Sequence, residues 1–426
     1  MTRRRVPDRQ PPTKDLTSRP PMPVTDSRPA ASRAPQLLIG SAAILVAAVA
    51  SRWWFFDVRE FQGDELVYIH YATRISAAGV SQFRALAVEY ASNSSLWVFP
   101  NPLRVLYILV TALACRVAGA CSGPTIAAVS FLSGIGLVLL TLIMAQRMFG
   151  GRVALLSGLL VAFSPLQLAL SRRAWQDGLF SLFVLLALWA FWERSRSQWN
   201  GWDILLGGSL VAALLIKESA VILLMILLAF LAGRQWLGNR ALPRARSVVA
   251  ALLLPLPLAA CLLFLLIPDL SLLIRVYRGW LGATQTGPYA IAYSQGPWFR
   301  YLIDFVLLSP VTILLAIGSY FRPGSEQEDR FLGRSTLFLF VAFSLVALKN
   351  VRYVSFLDLP IRILAALTLI SLPHHPIGTA LRGWGPVIAV FLLAAYDLSL
   401  FHSVFISGGV YDPVTAALAK AERLIP

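Results

Sequence analysis

Residues 126–144 read IAAVSFLSGIGLVLLTLIM, an apolar run that contains no charged residue. A helix that crosses a bilayer needs about 20 mostly apolar residues. Lipid offers the backbone no hydrogen-bond partners, so a crossing segment must be a helix or part of a closed barrel. The run lacks the alternating pattern of barrel strands, and it therefore predicts a transmembrane helix.

Comparable runs recur along the chain. Of its 426 residues, 57% are hydrophobic and 14% are charged, which excludes a soluble domain of this size because such a domain needs more charge to stay dispersed. The sequence predicts an all-α polytopic membrane protein with about eleven transmembrane helices and with juxtamembrane helices in its outer loops. The predicted spans lie near residues 37–56, 125–145, 153–170, 178–193, 203–216, 219–233, 248–267, 301–320, 335–348, 354–372 and 384–402.

The N-terminal segment differs from the rest of the chain. Residues 1–35 are rich in Pro, Arg and Ser and have no apolar period, which predicts a disordered basic tail. The formal net charge is +16, and most basic residues flank the spans, which indicates contact with membrane lipids and not with nucleic acid. The positive-inside rule puts the tail in the cytoplasm. We predict that residues 36–426 form one transmembrane domain and that the protein lies in the inner (plasma) membrane.

This orientation assigns two long polar loops to the outer face, at 57–124 and 268–300. The apolar segment 102–118 inside the first loop is long enough to suggest a twelfth span. A twelfth span would move the Arg-rich connection 234–246 to the outside, against the positive-inside rule. We therefore predict that 102–118 is an interfacial or re-entrant helix.

The cysteine and histidine residues do not indicate a catalytic or metal-binding site. The three Cys and four His residues show no metal-ligand spacing, so no metal site is expected. Cys115 and Cys121 could form a disulfide in an oxidising compartment.

The first polar cluster with catalytic potential is Asp64-Glu65, just after the first span. Asp64, Tyr68 and Tyr71 are spaced i, i+4, i+7 and share one face if the segment is helical. An acidic pair at this depth is well placed to act as a base. Ordinary solvated loop carboxylates are the alternative interpretation.

The second cluster is the short outer turn that contains Arg172, Arg173 and Asp177. An acidic group and an arginine facing a cavity would be functional. Alternatively, Arg173 and Asp177 are four residues apart and form an ion pair that closes the turn.

Two further clusters carry cations. Lys217-Glu218 separates two apolar runs, either as groups that face protein or water or as an ion pair at a helix end. Arg352-Tyr353 lies in a late basic turn on the outer face, where the guanidinium fork suits phosphate oxygens. A cation that extends to the membrane interface is the alternative for Arg352.

Taken in their order along the chain, the clusters and their flanking spans resemble a known pattern. The segments that show it are FQGDELVYIHYATRISAAGV (61–80), NPLRVLYILVTALACRVAG (101–119), AQRMFGGRVALLSGLLVAFSPLQLALSRRAWQDGLFSLFVLLALWAF (145–191), LLIKESAVILL (214–224) and NVRYVSFLDLPIRILAAL (350–367). The pattern resembles membrane-embedded glycosyltransferases of the C-type fold. It is most similar to the branch of protein O-mannosyltransferases and bacterial aminoarabinose transferases. The similarity covers roughly residues 37–372, and it lies in the order and spacing of the motifs.

The resemblance implies transfer of a hexose or pentose from a polyprenyl-phosphate donor, on the outer face, to a lipid, glycan or protein acceptor. By the same resemblance, Asp64 matches the catalytic carboxylate, with Glu65 as its neighbour, and Asp177 matches the acidic residue of the second outer loop. The implied phosphate-binding cations are Arg352, Arg172, Arg173 and Lys217, and the supporting residues are Tyr68, Tyr353 and Glu218.

The chain departs from the aminoarabinose branch in the first loop. That branch has Glu-Lys before a double Pro, where this chain has Phe99-Pro100-Asn101-Pro102. The departure weakens any inference of the same donor or acceptor.

The implied chemistry needs a base for the acceptor hydroxyl and charge stabilisation for the departing phosphate. A single displacement predicts inversion at the anomeric carbon, and no cofactor or divalent metal is required. The rival interpretation is a transporter or lipid flippase, which predicts charges near the membrane midplane. Asp304, Arg362 and Asp397 are the charges that support it. A structural or assembly membrane protein is a third interpretation.

Overall fold

The computed structural model describes residues 34–56, 61, 63–233, 246–288, 290–322, 327–372 and 384–409, together with 414 and 417. The predicted tail before residue 34 and the Arg-rich connection 234–245 lie outside these residues. Within the described part of the chain, the structure is almost entirely helical. Extended pairing there is limited to an isolated antiparallel bridge between Gln295 and Leu348.

Eighteen α-helices make up the described structure. In the first half of the chain they are α1 (Ala34–Trp54), α2 (Asp64–Ala78), α3 (Gln82–Ser92), α4 (Val105–Ala118), α5 (Gly123–Phe149), α6 (Gly151–Ala162), α7 (Pro165–Ser171), α8 (Asp177–Arg196) and α9 (Gly201–Ile216). In the second half they are α10 (Ala220–Ala232), α11 (Arg246–Leu253), α12 (Pro255–Leu266), α13 (Leu270–Thr286), α14 (Arg300–Leu308), α15 (Pro310–Gly318), α16 (Gln327–Leu345), α17 (Asp358–Ser371) and α18 (Gly385–Phe401). Short 3₁₀ segments cover Ser94–Leu96, Ser319–Phe321 and Val351–Leu357, and π-helical turns cover Ala290–Ser294 and His402–Ser407.

Several helices are long and apolar enough to cross a membrane, as a multi-pass protein requires. Five stretches of the described chain qualify singly, and three bent helix pairs raise the number to eight if each pair is one span. The shorter apolar helices α4, α9 and α10 coincide with predicted segments as well. The count of eleven spans stays a prediction. The five stretches are Pro35–Trp54, Gly123–Phe149, Asp177–Arg196, Val351–Ser371 and Gly385–Ser407.

The three bent pairs correct part of the sequence prediction. α6 and α7 meet at 57°, α11 and α12 at 41°, and α14 and α15 at 112°. Each second helix begins with proline (Pro165, Pro255 and Pro310), and proline cannot donate the backbone hydrogen bond that would continue the preceding helix. The predicted spans at 153–170, 248–267 and 301–320 are therefore interrupted and not continuous.

Two helical stretches form the centre of the bundle. In the most apolar part of Val351–Ser371, 89% of the residues are buried, and in that of Asp177–Arg196, 78% are. The corresponding share in Pro35–Trp54 of α1 is 17%. α8 packs on α5 and α9, and α17 packs on α6 and α15. Because Asp177 and Arg352 lie at the ends of these two central elements, the protein interior fixes their positions.

A buried ionic cluster joins the helix breaks. Arg362 donates to Asp358 (Nε–Oδ1 2.9 Å), to Asp397 (Nη1–Oδ2 2.6 Å) and to the Ser309 hydroxyl (2.9 Å). It also donates to the Leu160 carbonyl (3.0 Å) near the end of α6. Charged groups inside a bundle normally pair in this way, and the cluster ties α17, α18 and two of the breaks together.

Cys115 and Cys121 form a disulfide at the end of α4. Disulfides persist in oxidising compartments and are rare in the cytosol. The 14 residues of α4 extend about 21 Å, less than the roughly 30 Å core of a bilayer. The disulfide fits the predicted outer location, but α9 and α10, which coincide with predicted spans, are comparably short, so the re-entrant path of α4 stays a prediction.

We predict that this disulfide forms in intact cells and faces outward. In a Cys261→Ser protein, an impermeant maleimide should label neither remaining cysteine until an external reductant is added. Cys121 should then react, whereas Cys115 is buried. Labelling that requires the membrane to be opened, with no need for reductant, would contradict the outer location and make α4 a span.

Candidate active site

A cavity of about 1580 Å³ lies where α2, the α7–α8 turn, the α9–α10 break and the segment Val351–Leu357 meet. It brings together side chains from distant parts of the sequence. α13, from the second long loop, forms the facing wall. The predicted residues that line the cavity are Asp64, Tyr68, Arg172, Arg173, Asp177, Lys217, Glu218, Arg352 and Tyr353.

Asp64 is the first residue of α2. The preceding Gly63 has φ 55°, a left-handed conformation that glycine adopts without strain and that turns the chain into the helix at this point. The positive end of the helix dipole favours a carboxylate there. The Asp64 side chain is 30% exposed toward the cavity.

Asp64 contacts Arg352, which is 288 residues away in sequence (Nη2–Oδ2 3.2 Å). The Arg352 guanidinium lies 4.3 Å from the centroid of the Trp175 ring, so an aromatic face holds the cation in position. The contact with Asp64 uses one guanidinium nitrogen, and within the described chain no hydrogen bond is made by Nε or Nη1. The proposed base and the proposed phosphate ligand are therefore direct neighbours.

Asp177 forms a second ion pair, with Lys217 (Nζ–Oδ1 2.7 Å), and both side chains are 5% exposed. Lys217 has an extended backbone at the end of α9, and this break turns its side chain toward the first residue of α8. Its ammonium lies 4.3 Å from the centroid of the Tyr353 ring. Burial lowers the pKa of Lys217, and the Asp177 carboxylate opposes that shift.

Glu65 does not line the cavity, in contrast to its neighbour Asp64. It is fully buried and accepts hydrogen bonds from Arg173 (Nε–Oε1 2.9 Å) and from the Ala174 backbone N–H (2.8 Å). Successive helical side chains point about 100° apart, so the two carboxylates face different partners. The geometry gives Glu65 a role in holding the α7–α8 turn; it does not support a site that the two carboxylates share.

These contacts differ from the local ion pairs that sequence spacing suggested. Arg173 pairs with Glu65 of α2, and Asp177 pairs with Lys217. Glu218 pairs with Arg104 instead of its neighbour Lys217. Arg172 also lines the cavity, with its guanidinium 6.0 Å from the Phe401 ring centroid.

Arg104 is a cavity residue that sequence analysis missed. Its guanidinium donates to Glu218 (Nη2–Oε2 3.2 Å; Nε–Oε1 3.3 Å) and to the Tyr68 hydroxyl (3.3 Å). Asn101 donates a further hydrogen bond to Glu218 (2.6 Å), and Tyr68 also bonds the Gln176 side chain. The sequence feature that could have identified Arg104 is a single charged residue at the start of an apolar helix, because a buried charge needs an ionic or hydrogen-bond partner.

The Arg104 cluster keeps its members in fixed protonation states. Burial opposes ionisation of Glu218, but the Arg104 charge and the hydrogen bonds from Arg104 and Asn101 outweigh it and lower the pKa of the carboxyl. Burial raises the pKa of Tyr68, so its hydroxyl stays protonated. The cluster thus presents a carboxylate, a guanidinium and a neutral phenol side by side.

Among the described residues, no group of three or more His, Cys, Asp or Glu side chains has the arrangement of a metal site. The cavity carboxylates are paired with cations instead.

We predict that the buried Asp177–Lys217 pair is required for stability. Asp177→Asn should leave the Lys217 ammonium without its counter-charge and lower the free energy of unfolding by about 3–5 kcal/mol. Asp177→Leu/Lys217→Met should be closer to wild type because it removes both charges. Thermal unfolding in detergent compares the three proteins, and a double variant less stable than Asp177→Asn would contradict this explanation.

Comparisons with known proteins agree with this architecture. The family model described as dolichyl-phosphate-mannose-protein mannosyltransferase matches residues 101–273. No curated protein matches the chain.

The solved structures of similar fold include ArnT and AglB. ArnT from Cupriavidus metallidurans, bound to undecaprenyl phosphate, superposes with a TM-score of 0.58 at 18% identity, over 92% of this chain and 75% of ArnT. The oligosaccharyltransferase AglB from Archaeoglobus fulgidus, in complex with an inhibitory peptide and a dolichol-phosphate, gives a TM-score of 0.52 at 14% identity, over 91% of this chain and 56% of AglB. The resemblance seen in the sequence is confirmed: this chain has the C-type fold of membrane glycosyltransferases, and its residues 101–273 match the mannosyltransferase family model.

Proposed function

We propose that this protein is a glycosyltransferase that moves a sugar from a polyprenyl-phosphate donor to an acceptor at the outer face of the inner membrane. The observation that carries the proposal is the contact between Asp64 and Arg352, which brings a carboxylate and a phosphate-binding cation together in one large cavity. The binding of undecaprenyl phosphate by ArnT and of dolichol-phosphate by AglB supports a lipid phosphate as the donor group.

Arg352 is the principal phosphate ligand in this proposal. Its Trp175 platform holds the guanidinium at the cavity surface, and Arg forms bidentate bonds to phosphate oxygens. Lys217, Arg172 and Arg173 add positive charge around the same cavity. An incoming phosphate competes with Asp64 for Arg352, so donor binding releases the Asp64 carboxylate for catalysis.

Asp64 is the general base. It takes the proton of the acceptor hydroxyl as that oxygen forms a bond to the anomeric carbon. The bond from the anomeric carbon to the phosphate oxygen breaks, and the phosphate leaves with the electron pair, stabilised by Arg352. One displacement with one base gives inversion. The transferred sugar is a hexose or a pentose.

The other predicted residues hold the cavity walls around this pair. Glu65 holds the α7–α8 turn through Arg173, and Asp177 holds Lys217 against the Tyr353 ring. Tyr68 and Glu218 hold Arg104 on the neighbouring wall. None of these roles requires a metal.

The rival interpretation as a transporter relied on charges inside the membrane domain. Arg362 and Asp397 form a buried ion pair with each other, and Arg362 also binds Asp358. Asp304 is buried on α14. A cluster that holds helix breaks together explains the Arg362–Asp397 charges without a transport path, which favours the transferase.

The proposal is tested in cells by a mass-spectrometric search for glycans lost when the gene is deleted. We expect one glycosylated product to disappear and to return with wild-type protein but not with Asp64→Asn. Unchanged glycans in the deletion strain would count against a transferase.

A further inference from the structure

One wall of the cavity has no part in the donor chemistry above. It consists of Arg104 and Glu218, with Trp280 and Thr284 of α13 beside them. The Arg104 guanidinium lies 5.8 Å from the centroid of the Trp280 ring. We call this group the Trp280 wall.

The Trp280 wall carries no net charge. Glu218 neutralises Arg104 through two hydrogen bonds. On the donor side four cations (Arg352, Lys217, Arg172 and Arg173) stand against three carboxylates, Asp64, Asp177 and the Glu65 partner of Arg173, which leaves a net positive charge. A buried anion needs an uncompensated cation, so a phosphate or carboxylate has good partners on the donor side and poor ones on the Trp280 wall.

The Trp280 wall nevertheless offers both hydrogen-bond acceptors and hydrogen-bond donors. Oε1 of Glu218 accepts from Asn101 and Arg104, while Oε2 accepts from Arg104 among the described residues. A carboxylate oxygen has room for about two hydrogen bonds, so Oε2 retains an acceptor site. The Thr284 hydroxyl donates to the Leu281 carbonyl (2.9 Å) and can therefore meet a ligand as an acceptor. The Trp280 indole adds an N–H donor and a large apolar ring, which suits a ligand that donates and accepts through hydroxyls.

We propose that the Trp280 wall is the acceptor subsite and that it binds an uncharged carbohydrate. The inference rests on the proposed function, because it assigns the second substrate of the same cavity. Tyr68, which bonds Arg104, is four residues after Asp64 on α2, about one helical turn away. A sugar on this wall therefore presents a hydroxyl near the base, which takes its proton as the oxygen bonds the anomeric carbon and the lipid phosphate leaves.

The backbone gives reason to prefer a carbohydrate to a peptide acceptor. Extended peptides commonly bind by adding a strand to a sheet edge. The Trp280 wall itself is formed by helix α13 and by the turns that carry Arg104 and Glu218. The extended pairing in the described chain, Gln295–Leu348, reaches the cavity at Leu348, outside this wall. The wall thus offers side-chain hydrogen bonds but no strand edge.

The test uses purified full-length protein in nanodiscs and saturation-transfer NMR. The probes are a panel of neutral hexose and pentose disaccharides, mannose 6-phosphate and the tripeptide Gly-Thr-Gly. We expect at least one neutral disaccharide to bind and Trp280→Ala to weaken it about tenfold or more, as truncation of a central Trp commonly does. Trp298→Ala is the matched control, because Trp298 is exposed in the same loop and does not line the cavity.

A second variant tests the charge balance. Glu218→Gln keeps the side-chain shape but leaves Arg104 uncompensated, so binding of mannose 6-phosphate should increase relative to wild type. The proposal is overturned if no neutral disaccharide binds, if Trp280→Ala and Trp298→Ala behave alike, or if the tripeptide alone binds in a Trp280-dependent way.

Binding of undecaprenyl phosphate to the same preparation tests the donor separately. Arg352→Ala should weaken undecaprenyl phosphate binding and leave disaccharide binding intact. If the protein binds a disaccharide in a Trp280-dependent way but does not bind undecaprenyl phosphate, the acceptor subsite is supported and the proposed donor is refuted.

Discussion

Replacing Asp64 with Asn is expected to lower turnover by about 10²–10⁴-fold, the usual contribution of a general base. Asn keeps the shape of the side chain and still accepts a hydrogen bond from Arg352, but it cannot take a proton from the acceptor. Donor binding should persist, because it depends on Arg352 and its neighbours. The measurement is release of lipid phosphate from a polyprenyl-phosphate sugar in liposomes.

Glu89→Gln is the matched control for Asp64→Asn. Glu89 is a carboxylate of the same outer loop, contacts His70 and Arg74, and is 41% exposed. Its loss should leave turnover near wild type. Monodisperse elution and an unchanged melting temperature establish that each variant is folded. A folded Asp64→Asn protein with nearly full activity would remove Asp64 from the mechanism, and Asp177 would become the leading candidate.

Arg352→Ala is expected to weaken donor use by roughly tenfold to a hundredfold, since a hydrogen bond to a charged group contributes about 1.5–3 kcal/mol. The loss should appear mainly in the apparent affinity for donor. Arg352→Lys should restore only part of it, because lysine keeps the charge but loses the planar fork and the stacking on Trp175.

Arg278→Ala is the control for Arg352→Ala. Arg278 is an exposed cation of α13 that does not line the cavity, so its removal should change neither apparent affinity nor turnover. Wild-type donor affinity in both Arg352 variants would make Arg352 only a cation at the membrane interface.

Hydrophobic patterning predicted the class of fold because a membrane leaves the backbone few choices. Lipid requires every backbone group to be paired within the segment, so a run such as 126–144 can form only one kind of element. The helix breaks needed more information. Pro165 and Pro310 lie inside apolar runs, and a count of apolar residues passes over them, although each begins a new helix in the structure.

The candidate site was harder to predict than the fold because its contacts are distant in sequence. Spacing alone suggested Arg173 with Asp177, yet the structure pairs Asp177 with Lys217 across 40 residues. Glu65 was grouped with Asp64 because they are adjacent, but helix geometry turns it away from the cavity. Such pairings depend on how helices pack, which a single sequence does not contain.

Arg104 gives a further reason why the site was harder to predict than the fold. It lies at the edge of a segment whose path through the membrane was ambiguous, so its side chain had no predicted neighbourhood. In the structure α4 packs on α2, and this brings Arg104 to Tyr68 and Glu218.

The central claim is that the cavity transfers a sugar from a polyprenyl phosphate. The most direct measurement incubates purified protein in liposomes with undecaprenyl-phosphate hexoses and pentoses and follows the loss of the lipid-linked sugar by mass spectrometry. We predict that wild-type protein consumes at least one of these donors and releases undecaprenyl phosphate, and that Asp64→Asn does so at least about a hundredfold more slowly. Equal consumption by both proteins, or transport of an intact donor across the liposome membrane without cleavage, would contradict the account.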